Sequence, residues 1–219
     1  MRIGLIVIVA MFLGAMSSFS HADTWPLADL EKTGKGKTDL GDWAVVAFAG
    51  RDDFPYLSER TELEEAESGR WTLPNRGAGE VKINATSVNI RSAGRQNKPE
   101  IDKWLAAVVI APKPAGNYAV TGTMTGLWCD SDPNTKNSLK WAVLRGKADG
   151  KKFKVIASGE AGQGDTIDLA SQEKLKSIVL EQGETIVVTL FRPGHWGAAG
   201  GDITALNVDK ATATPEPTK

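Results

Sequence analysis

Short runs of alternating or β-branched residues, separated by Gly, Pro, Asn or Asp, recur along the chain from Trp43 onward. Turn signals about every 8–12 residues are typical of β-sandwiches and barrels, and no long segment has the period of an amphipathic helix. The pattern predicts an all-β fold, an antiparallel β-sandwich of the jelly-roll type with about ten or more short strands. The predicted strands are Trp43–Ala49, Arg70–Leu73, Glu80–Ile90, Leu105–Ala111, Gly116–Leu127, Leu139–Arg145, Lys152–Ser158, Gly164–Leu169, Lys176–Leu180, Thr185–Phe191 and Asp202–Val208.

Three connections between these strands have specific turn chemistry. Asp149-Gly150 lies between two apolar runs and predicts a hairpin, because Gly tolerates the positive φ of such turns. Gln182-Gly183, in "VLEQGETIVVTL", predicts another hairpin or a tight connection. Pro112 and Pro114 end one strand before Gly116 begins the next, since proline cannot donate to a ladder.

The N-terminus "MRIGLIVIVAMFLGAMSSFSHA" has the charged start, apolar middle and small-residue ending of a secretory signal peptide. Its apolar run is shorter than the roughly 20 residues that span a bilayer, so we expect cleavage after residue 22 and a product with no membrane span. We expect a polar arm at 23–41, anchored by Trp25 if at all, a single β-sandwich domain at 42–210 and a disordered tail at 211–219. The protein is therefore expected to be secreted, periplasmic or at the cell surface.

Charge and cysteine content exclude several classes of function. The chain has 26 Lys and Arg against 27 Asp and Glu, without a dense basic stripe, so nucleic-acid binding is not expected. Cys129 is the single cysteine, and no disulfide can form within the chain. A lone Cys in an exported protein is either buried as a small hydrophobe or pairs between chains, and both possibilities stay open.

The order of motifs in the second half of the chain resembles a known kind of module. "KPEIDKWLAAVVIAPKPAGNYAVTGTM" is followed by "LKWAVLRGKADG", "DTIDLAS", "VLEQGETIVVTL" and "GGDITAL". Over roughly residues 98–208 this resembles non-catalytic jelly-roll modules of the carbohydrate-binding type on exported bacterial proteins. Glu184 departs from the pattern, which more often has Asp there. The resemblance implies a binding role and supplies no ligand-binding residues.

Histidine content argues against common catalytic sites. Removal of the leader takes His21 away and leaves His195 as the one histidine. A histidine-rich zinc site is then untenable, and a nucleophilic triad would need His195 without any G-x-S-x-G elbow. His195 is expected to be a turn residue in "FRPGHWGAAGGDITAL".

An enzymatic alternative rests on "RTEL". Arg60 and Glu62 in this segment resemble the catalytic face of alginate-lyase jelly rolls, where such residues neutralise the substrate carboxylate. A lyase also needs a base and an acid, and the family's "Q-I-H" and "Y-F-K-A-G-x-Y" segments are missing here. Tyr56, Tyr118 and His195 are the remaining candidates. The competing interpretation is an exposed polar strand or a short charged helix.

A structural Ca²⁺ is the one cofactor that the sequence suggests. Asp130 and Asp132 in "CDSDPN", together with Asp202, offer the oxygen ligands that calcium prefers. The segment is not an EF-hand, because the Gly at the sixth position and the Glu at the twelfth are missing. A plain turn is the alternative.

Seven tryptophans suggest both a core and a ligand platform. Trp43, Trp104 and Trp141 begin or punctuate apolar runs and are predicted in the core. Trp128 and Trp196 stand beside turn signals, where a flat ring could stack on a sugar with His195 nearby, or could instead cap the sandwich. We expect an exported non-catalytic module that binds a glycan or a cell-envelope partner; the alternatives are a polysaccharide lyase and a structural envelope or matrix protein.

Overall fold

The structure is a computed structural model that describes residues 24–26, 39–40, 43–50, 57–67, 69–72, 80–83, 87–92, 104–129, 138–147, 153–191 and 199–211. Within these ranges the chain forms sixteen strands and a single turn of 3-10 helix at Glu173–Leu175. The strands are β1 (Thr24–Pro26), β2 (Asp39–Leu40), β3 (Trp43–Gly50), β4 (Leu57–Glu62), β5 (Glu64–Glu67), β6 (Arg70–Thr72), β7 (Glu80–Ile83), β8 (Ser87–Ser92), β9 (Trp104–Ile110), β10 (Gly116–Cys129), β11 (Ser138–Lys147), β12 (Lys154–Gly162), β13 (Ile167–Asp168), β14 (Ile178–Leu180), β15 (Glu184–Phe191) and β16 (Ala199–Lys210).

Two antiparallel sheets carry these strands. Sheet A has the order β13-β10-β16-β8-β7-β6-β5, with β1 added beside β16 and β14 beside β10. Sheet B has the order β12-β11-β15-β9-β3-β2, with β4 also paired to β3. The β10–β16 pair in one sheet and the β11–β15 pair in the other are nested in sequence, as strands are in a jelly roll. The predicted all-β sandwich of jelly-roll type is confirmed.

The observed strands differ from the predicted ones at several places. The predicted strand Glu80–Ile90 is two strands, β7 and β8, which pair with Val81 opposite Ile90. The charged segment that includes "RTEL", for which a polar strand and a short helix were both possible, forms β4 and β5. The final strand begins at Ala199, three residues before the predicted start at Asp202.

A corner at Leu63 joins the two sheets. β4 pairs in sheet B and β5 in sheet A, although only Leu63 separates them. Leu63 is fully buried, and its N–H donates to the carbonyl of Val45 at 3.3 Å. A strand that bends and changes sheets closes one side of a sandwich, which explains why an acidic run can include one buried leucine.

The main core lies between the sheets and includes three tryptophans. Trp43, Trp71 and Trp141 are all at least 96% buried there, which confirms the prediction for Trp43 and Trp141. The side chain of Trp104 lies outside the described residues. The Trp141 indole packs directly on Gly159, where an added Cβ would lie 2.7 Å from Nε1.

Sheet B also buries its outward face. This second cluster consists of nine buried side chains: Val46, Phe48, Leu105, Ala107, Val109, Ala142, Leu144, Phe153 and Val187. The rings of Phe48 and Phe153 meet edge to face with centroids 5.6 Å apart. Phe48 lies on β3 and Phe153 directly precedes β12, four strand steps away, about 19 Å across a flat sheet at ~4.8 Å per step. Sheet B must therefore curl around this face.

Two connections that the turn signals marked pass between the sheets. Gly183 has a φ of 79°, and the N–H of Glu184 donates to the carbonyl of Glu181 at 3.1 Å, so Gln182-Gly183 forms a tight turn. This turn links β14 in sheet A to β15 in sheet B and is not a hairpin. The proline-rich segment before Gly116 likewise links β9 in sheet B to β10 in sheet A.

Arg145 ties the sheets together beside that turn. Its guanidinium lies 3.7 Å from the Glu184 carboxylate and donates to the carbonyl of Val179 on β14. Glu184 also accepts from the N–H of Glu181 at 2.8 Å. The departure from Asp at position 184 thus provides a side chain that holds both the turn and an arginine from β11.

A bulge in the β10–β16 ladder keeps apolar residues on the core side. Thr121 pairs with Asn207 but Thr123 pairs with Thr204, so β16 contains one extra residue at this point. Ala205 supplies it with a φ of 50°, in the left-handed region that costs a non-glycine residue about 1–2 kcal/mol. Because of this extra residue, Ile203 and Leu206 both face the core.

We predict that Ala205→Gly stabilises the protein by about 0.5–1 kcal/mol. Glycine adopts the left-handed conformation without strain, and the greater entropy of glycine in the unfolded chain offsets part of this gain. Ala119→Gly, on an ordinary extended stretch of β10, is the matched control and should destabilise by a similar amount. Urea unfolding of the two variants measures both free energies. A loss of stability in Ala205→Gly would contradict the left-handed conformation.

We predict that Arg145→Ala destabilises the protein by about 1–3 kcal/mol, because it leaves the half-buried Glu184 without its cation and the Val179 carbonyl without its donor. Lys140→Ala is the control, since Lys140 and Glu160 form an exposed pair at 3.6 Å with side-chain exposures of 37% and 64%. That variant should change the unfolding free energy by less than about 0.5 kcal/mol. Equal losses in the two variants would show that Arg145 is an ordinary surface charge.

Candidate functional site

The outward face of sheet A is a continuous polar surface. The inward positions of β7, β8, β10 and β16 are buried apolar residues, and the positions between them carry hydroxyl, amide and charged groups. We call this surface the polar face. Its described members on the central strands are Arg70, Glu80, Lys82, Ser87, Asn89, Arg91, Thr123, Thr125, Asp202 and Thr204.

Strand register arranges these residues in rows across the sheet. The central row runs Thr125, Asp202, Asn89, Lys82 and Arg70, each opposite the next on a neighbouring strand. Directly opposed residues of an antiparallel pair have Cβ atoms about 4.5–5.5 Å apart on the same face of the sheet. The row therefore offers a hydroxyl, a carboxylate, an amide and two cations over about 19 Å, at ~4.8 Å per strand.

Hydrogen bonds fix the middle of the central row. Asn89 Nδ2 donates to Asp202 Oδ1 at 3.1 Å, and both side chains are half-buried. In the next row, the Thr204 hydroxyl donates to the carbonyl of Thr123 at 3.2 Å. A carboxylate and an amide held in place can accept from and donate to a ligand hydroxyl without losing much side-chain entropy.

Four charged members of the polar face lie on β6, β7 and β8. Arg70 Nε donates to Glu80 Oε2 at 2.8 Å, and the Glu80 side chain is largely shielded from solvent. Lys82 is exposed beside them, and Arg91 is half-buried opposite Glu80. The face thus combines hydroxyl, amide and carboxylate groups on one side with a mainly cationic patch on the other.

Two of the predicted site residues lie on the strands of this face. Trp128 belongs to β10 rather than to the loop after it, and it pairs with Gly200, which in turn pairs with Arg91. Asp202 pairs with Thr125 and Asn89 as described above. Register therefore puts Trp128 one row away from the Asp202 row.

The other predicted site residues fall outside the described ranges. These are Trp196, His195, Asp130 and Asp132. The predicted Ca²⁺ site and the predicted stacking of a loop tryptophan on a sugar depend on them and stay predictions. Among the described residues, no group of three or more His, Cys, Asp or Glu side chains is arranged to hold a metal ion. Asp202 itself is engaged by Asn89.

The lyase residues lie on the opposite sheet. Arg60 pairs with Phe48 and Glu62 pairs with Val46, so β4 borders the second apolar cluster and not the polar face. Tyr118 is fully buried between the sheets, and its hydroxyl donates to the carbonyl of Pro114. Tyr118 therefore cannot protonate a bound substrate, and Tyr56 lies outside the described residues.

Sequence patterns alone did not single out most of the polar face. Asn89 and Asp202 are 113 residues apart in the chain, and only the register of β8 against β16 brings them together. The available signal was alternation: "SVNIR" and "DIT" each place polar residues between apolar ones that face the core. Alternation identifies outward residues but does not say which of them are neighbours.

Gly200 is required because the backbones of β16 and β8 approach each other closely at this residue. A Cβ at Gly200 would lie 2.4 Å from the carbonyl oxygen of Ile90 and 3.1 Å from the Cα of Arg91. Both contacts are with backbone, which cannot move aside as a side chain can. The glycine thus permits the close pairing of β16 with β8 at this point.

Comparisons with known proteins identify no family for this chain. No family model and no curated protein matches the chain. Among solved structures, Eiger TNF from S. frugiperda is 12% identical with a TM-score of 0.33, the match covering 61% of this chain and 98% of that one. Murine APRIL is 13% identical with a TM-score of 0.27, covering 74% and 98%.

A third solved structure is a Stig cyclase, Fisc from Fischerella sp. TAU in complex with (3Z)-3-(1-methyl-2-pyrrolidinylidene)-3H-indole. It is 13% identical with a TM-score of 0.28, the match covering 84% of this chain and 96% of that one. Similarities at these levels carry no argument about activity.

No helix among the described residues is long and apolar enough to cross a membrane.

We predict that Gly200→Ala destabilises the protein by about 1–3 kcal/mol, because the new methyl group forces β16 away from the β8 backbone. Gly116→Ala is the control, since a Cβ there would meet only the Tyr118 ring edge at an ordinary 3.9 Å. That variant should unfold within about 0.5 kcal/mol of the wild type. Wild-type stability in Gly200→Ala, measured by urea unfolding, would contradict the close pairing of these strands.

Proposed function

We propose that this protein is an exported, non-catalytic binding module and that its polar face binds a glycan. The observation that carries the proposal is the row of Thr125, Asp202 and Asn89 on three adjacent strands, with the last two joined by a 3.1 Å hydrogen bond. Sugar hydroxyls both donate and accept hydrogen bonds, and a fixed set of hydroxyl, carboxylate and amide groups matches them.

The position of Trp128 adds to this proposal. It occupies β10 in the row of Gly200 and Arg91, adjacent to the Asp202 row. An aromatic residue at the end of a polar sheet face is suited to stacking on the apolar side of a sugar ring. The sequence resemblance to carbohydrate-binding jelly rolls supports the same role, and the signal peptide would bring the module to glycans outside the cytoplasm.

The two outward faces of the sandwich differ in a way that favours sheet A as the site. On β3, β9, β11 and β15, sheet B buries outward residues in the second apolar cluster, so that surface is used for stability. The outward residues that make up the polar face of sheet A are half-buried or exposed. Binding at a rigid sheet costs little ordering entropy, because the backbone and the Asn89–Asp202 pair are already in place.

A glycan array of the purified protein, with and without EDTA, tests the proposal, and we expect binding to a defined set of oligosaccharides. The double variant Asn89→Ala/Asp202→Ala should weaken binding about tenfold or more, since it removes two polar partners and leaves neither one unpaired. Loss of binding in EDTA would additionally reveal the structural Ca²⁺ suggested by Asp130, Asp132 and Asp202.

The control is Ser158→Ala/Glu160→Gln, two exposed positions on β12 in sheet B, which should bind as the wild type does. Unfolding midpoints of both double variants show whether a lost affinity reflects lost fold. No glycan bound by the wild type, or equal binding by the two double variants, would overturn the proposal. The first outcome would favour a structural role in the envelope or matrix.

A further inference from the structure

Resting on the proposed function, we infer that the glycan bound by the polar face is acidic and that an anionic group on one of its sugars pairs with Lys82. The relevant chemistry is a single carboxylate or sulfate flanked by neutral sugars. Lys82 is the fourth of the five residues in the central row, with Asn89 opposite it on one side and Arg70 on the other.

Charge on the three strands around Lys82 favours an anion. Every charged residue of β6, β7 and β8 occupies the polar face, and these residues are Arg70, Glu80, Lys82 and Arg91. Three of the four are cations, in a chain whose formal net charge is −1. The cationic patch is thus a local feature and not a consequence of overall composition.

Lys82 is the cation of this patch that is open to a ligand. The one carboxylate on these strands, Glu80, is bound to Arg70 at 2.8 Å. The nearest carboxylate on the other side, Asp202, accepts from Asn89 at 3.1 Å. Lys82 is exposed and forms no ion pair with any residue in the described part of the chain.

Acidic residues on both flanks restrict the kind of glycan. Glu64 is exposed on β5 at one edge of the sheet, and Asp202 and Asp168 lie toward the other edge. Lys82 and Asp202 are two strands apart, about 10 Å at ~4.8 Å per strand, which is close to the Debye length of about 8 Å at physiological salt. A polymer with an acid on every sugar would meet repulsion at both flanks, whereas one with spaced acids would not.

The experiment titrates the purified protein with four oligosaccharide probes of similar length. Hyaluronan fragments carry carboxylates on alternate sugars, keratan sulfate fragments carry sulfates without carboxylates, polygalacturonate carries an acid on every sugar, and cello-oligosaccharides are neutral. We expect one of the first two to bind at least about threefold more tightly than the last two, and which one binds identifies the anion. Raising the salt concentration should reduce this preference.

Variants at Lys82 assign the preference to this side chain. Lys82→Gln should reduce affinity for the preferred acidic probe about two- to fivefold, as expected for one exposed ion pair, and reduce affinity for a neutral probe by a smaller factor. Lys154→Gln, at an exposed lysine on β12 of sheet B, is the matched control and should have no effect.

The outcomes separate this inference from the proposed function. If neutral and acidic probes bind equally, or if Lys82→Gln and Lys154→Gln behave alike, Lys82 does not select an anion and the inference fails while glycan binding stands. If polygalacturonate binds most tightly, the restriction to spaced acids is wrong. If no glycan binds, the proposed function itself fails.

Discussion

The ladder between β10 and β16 is the interaction on which the rest of the structure depends. It is the longest pairing in the described chain, from Tyr118 opposite Lys210 to Cys129 opposite Ala199. It holds the centre of sheet A, and every other strand of that sheet attaches directly or indirectly to one of its two members. An antiparallel ladder repeats every two residues, so one extra residue in regular pairing would move the apolar side chains of one half of β16 to the outward face. A bulge takes up the extra residue and avoids this reversal. The extra residue at Ala205 and the register shift between Thr125 and Trp128 keep both halves in phase with the core.

That phase also determines where a ligand could bind. Ile203, Leu206 and Val208 fill the space between the sheets, and the residues between them face outward with hydroxyl, amide and carboxylate groups. Sheet B does not separate apolar from polar faces in this way on β3, β9, β11 and β15, where apolar residues are buried on both faces of the sheet. The asymmetry has a physical cause: a face covered by Phe48 and Phe153 excludes water, and polar residues there must find partners within the protein. Thr189 and Thr185 do so by donating to backbone carbonyls at 2.8 and 3.1 Å.

Alternation and turn chemistry were enough to predict the fold class and most strands from the sequence, because burial on one face imposes a period of two that is visible without a structure. The same signal failed where the alternation runs on through a turn. "EVKINATSVNI" reads as one strand, but β7 and β8 fold back on each other with Ile83 opposite Val88. It failed again for β4 and β5, whose charged residues conceal a single buried anchor at Leu63. The predicted strand ends at Leu127, one residue before Trp128, because a strand with a register shift loses its regular pattern.

The candidate site was harder to predict than the fold, because a binding surface on a sheet is defined across strands and not along them. Asp202 is a predicted calcium ligand because of its residue type and its place on the last strand, and in the structure its carboxylate accepts from an amide 113 residues away in the chain. Glu184 looked like a departure from a family pattern, and it proves to hold the arginine that connects the sheets. In both cases the residue type was informative, but its role depended on a neighbour supplied by register. Lys82 is the extreme example: nothing adjacent in the sequence marks it, and its position between Asn89 and Arg70 follows entirely from how β6, β7 and β8 are aligned. Chemistry on such a fold therefore has to be sought row by row across the sheet, after the pairing of the strands is known.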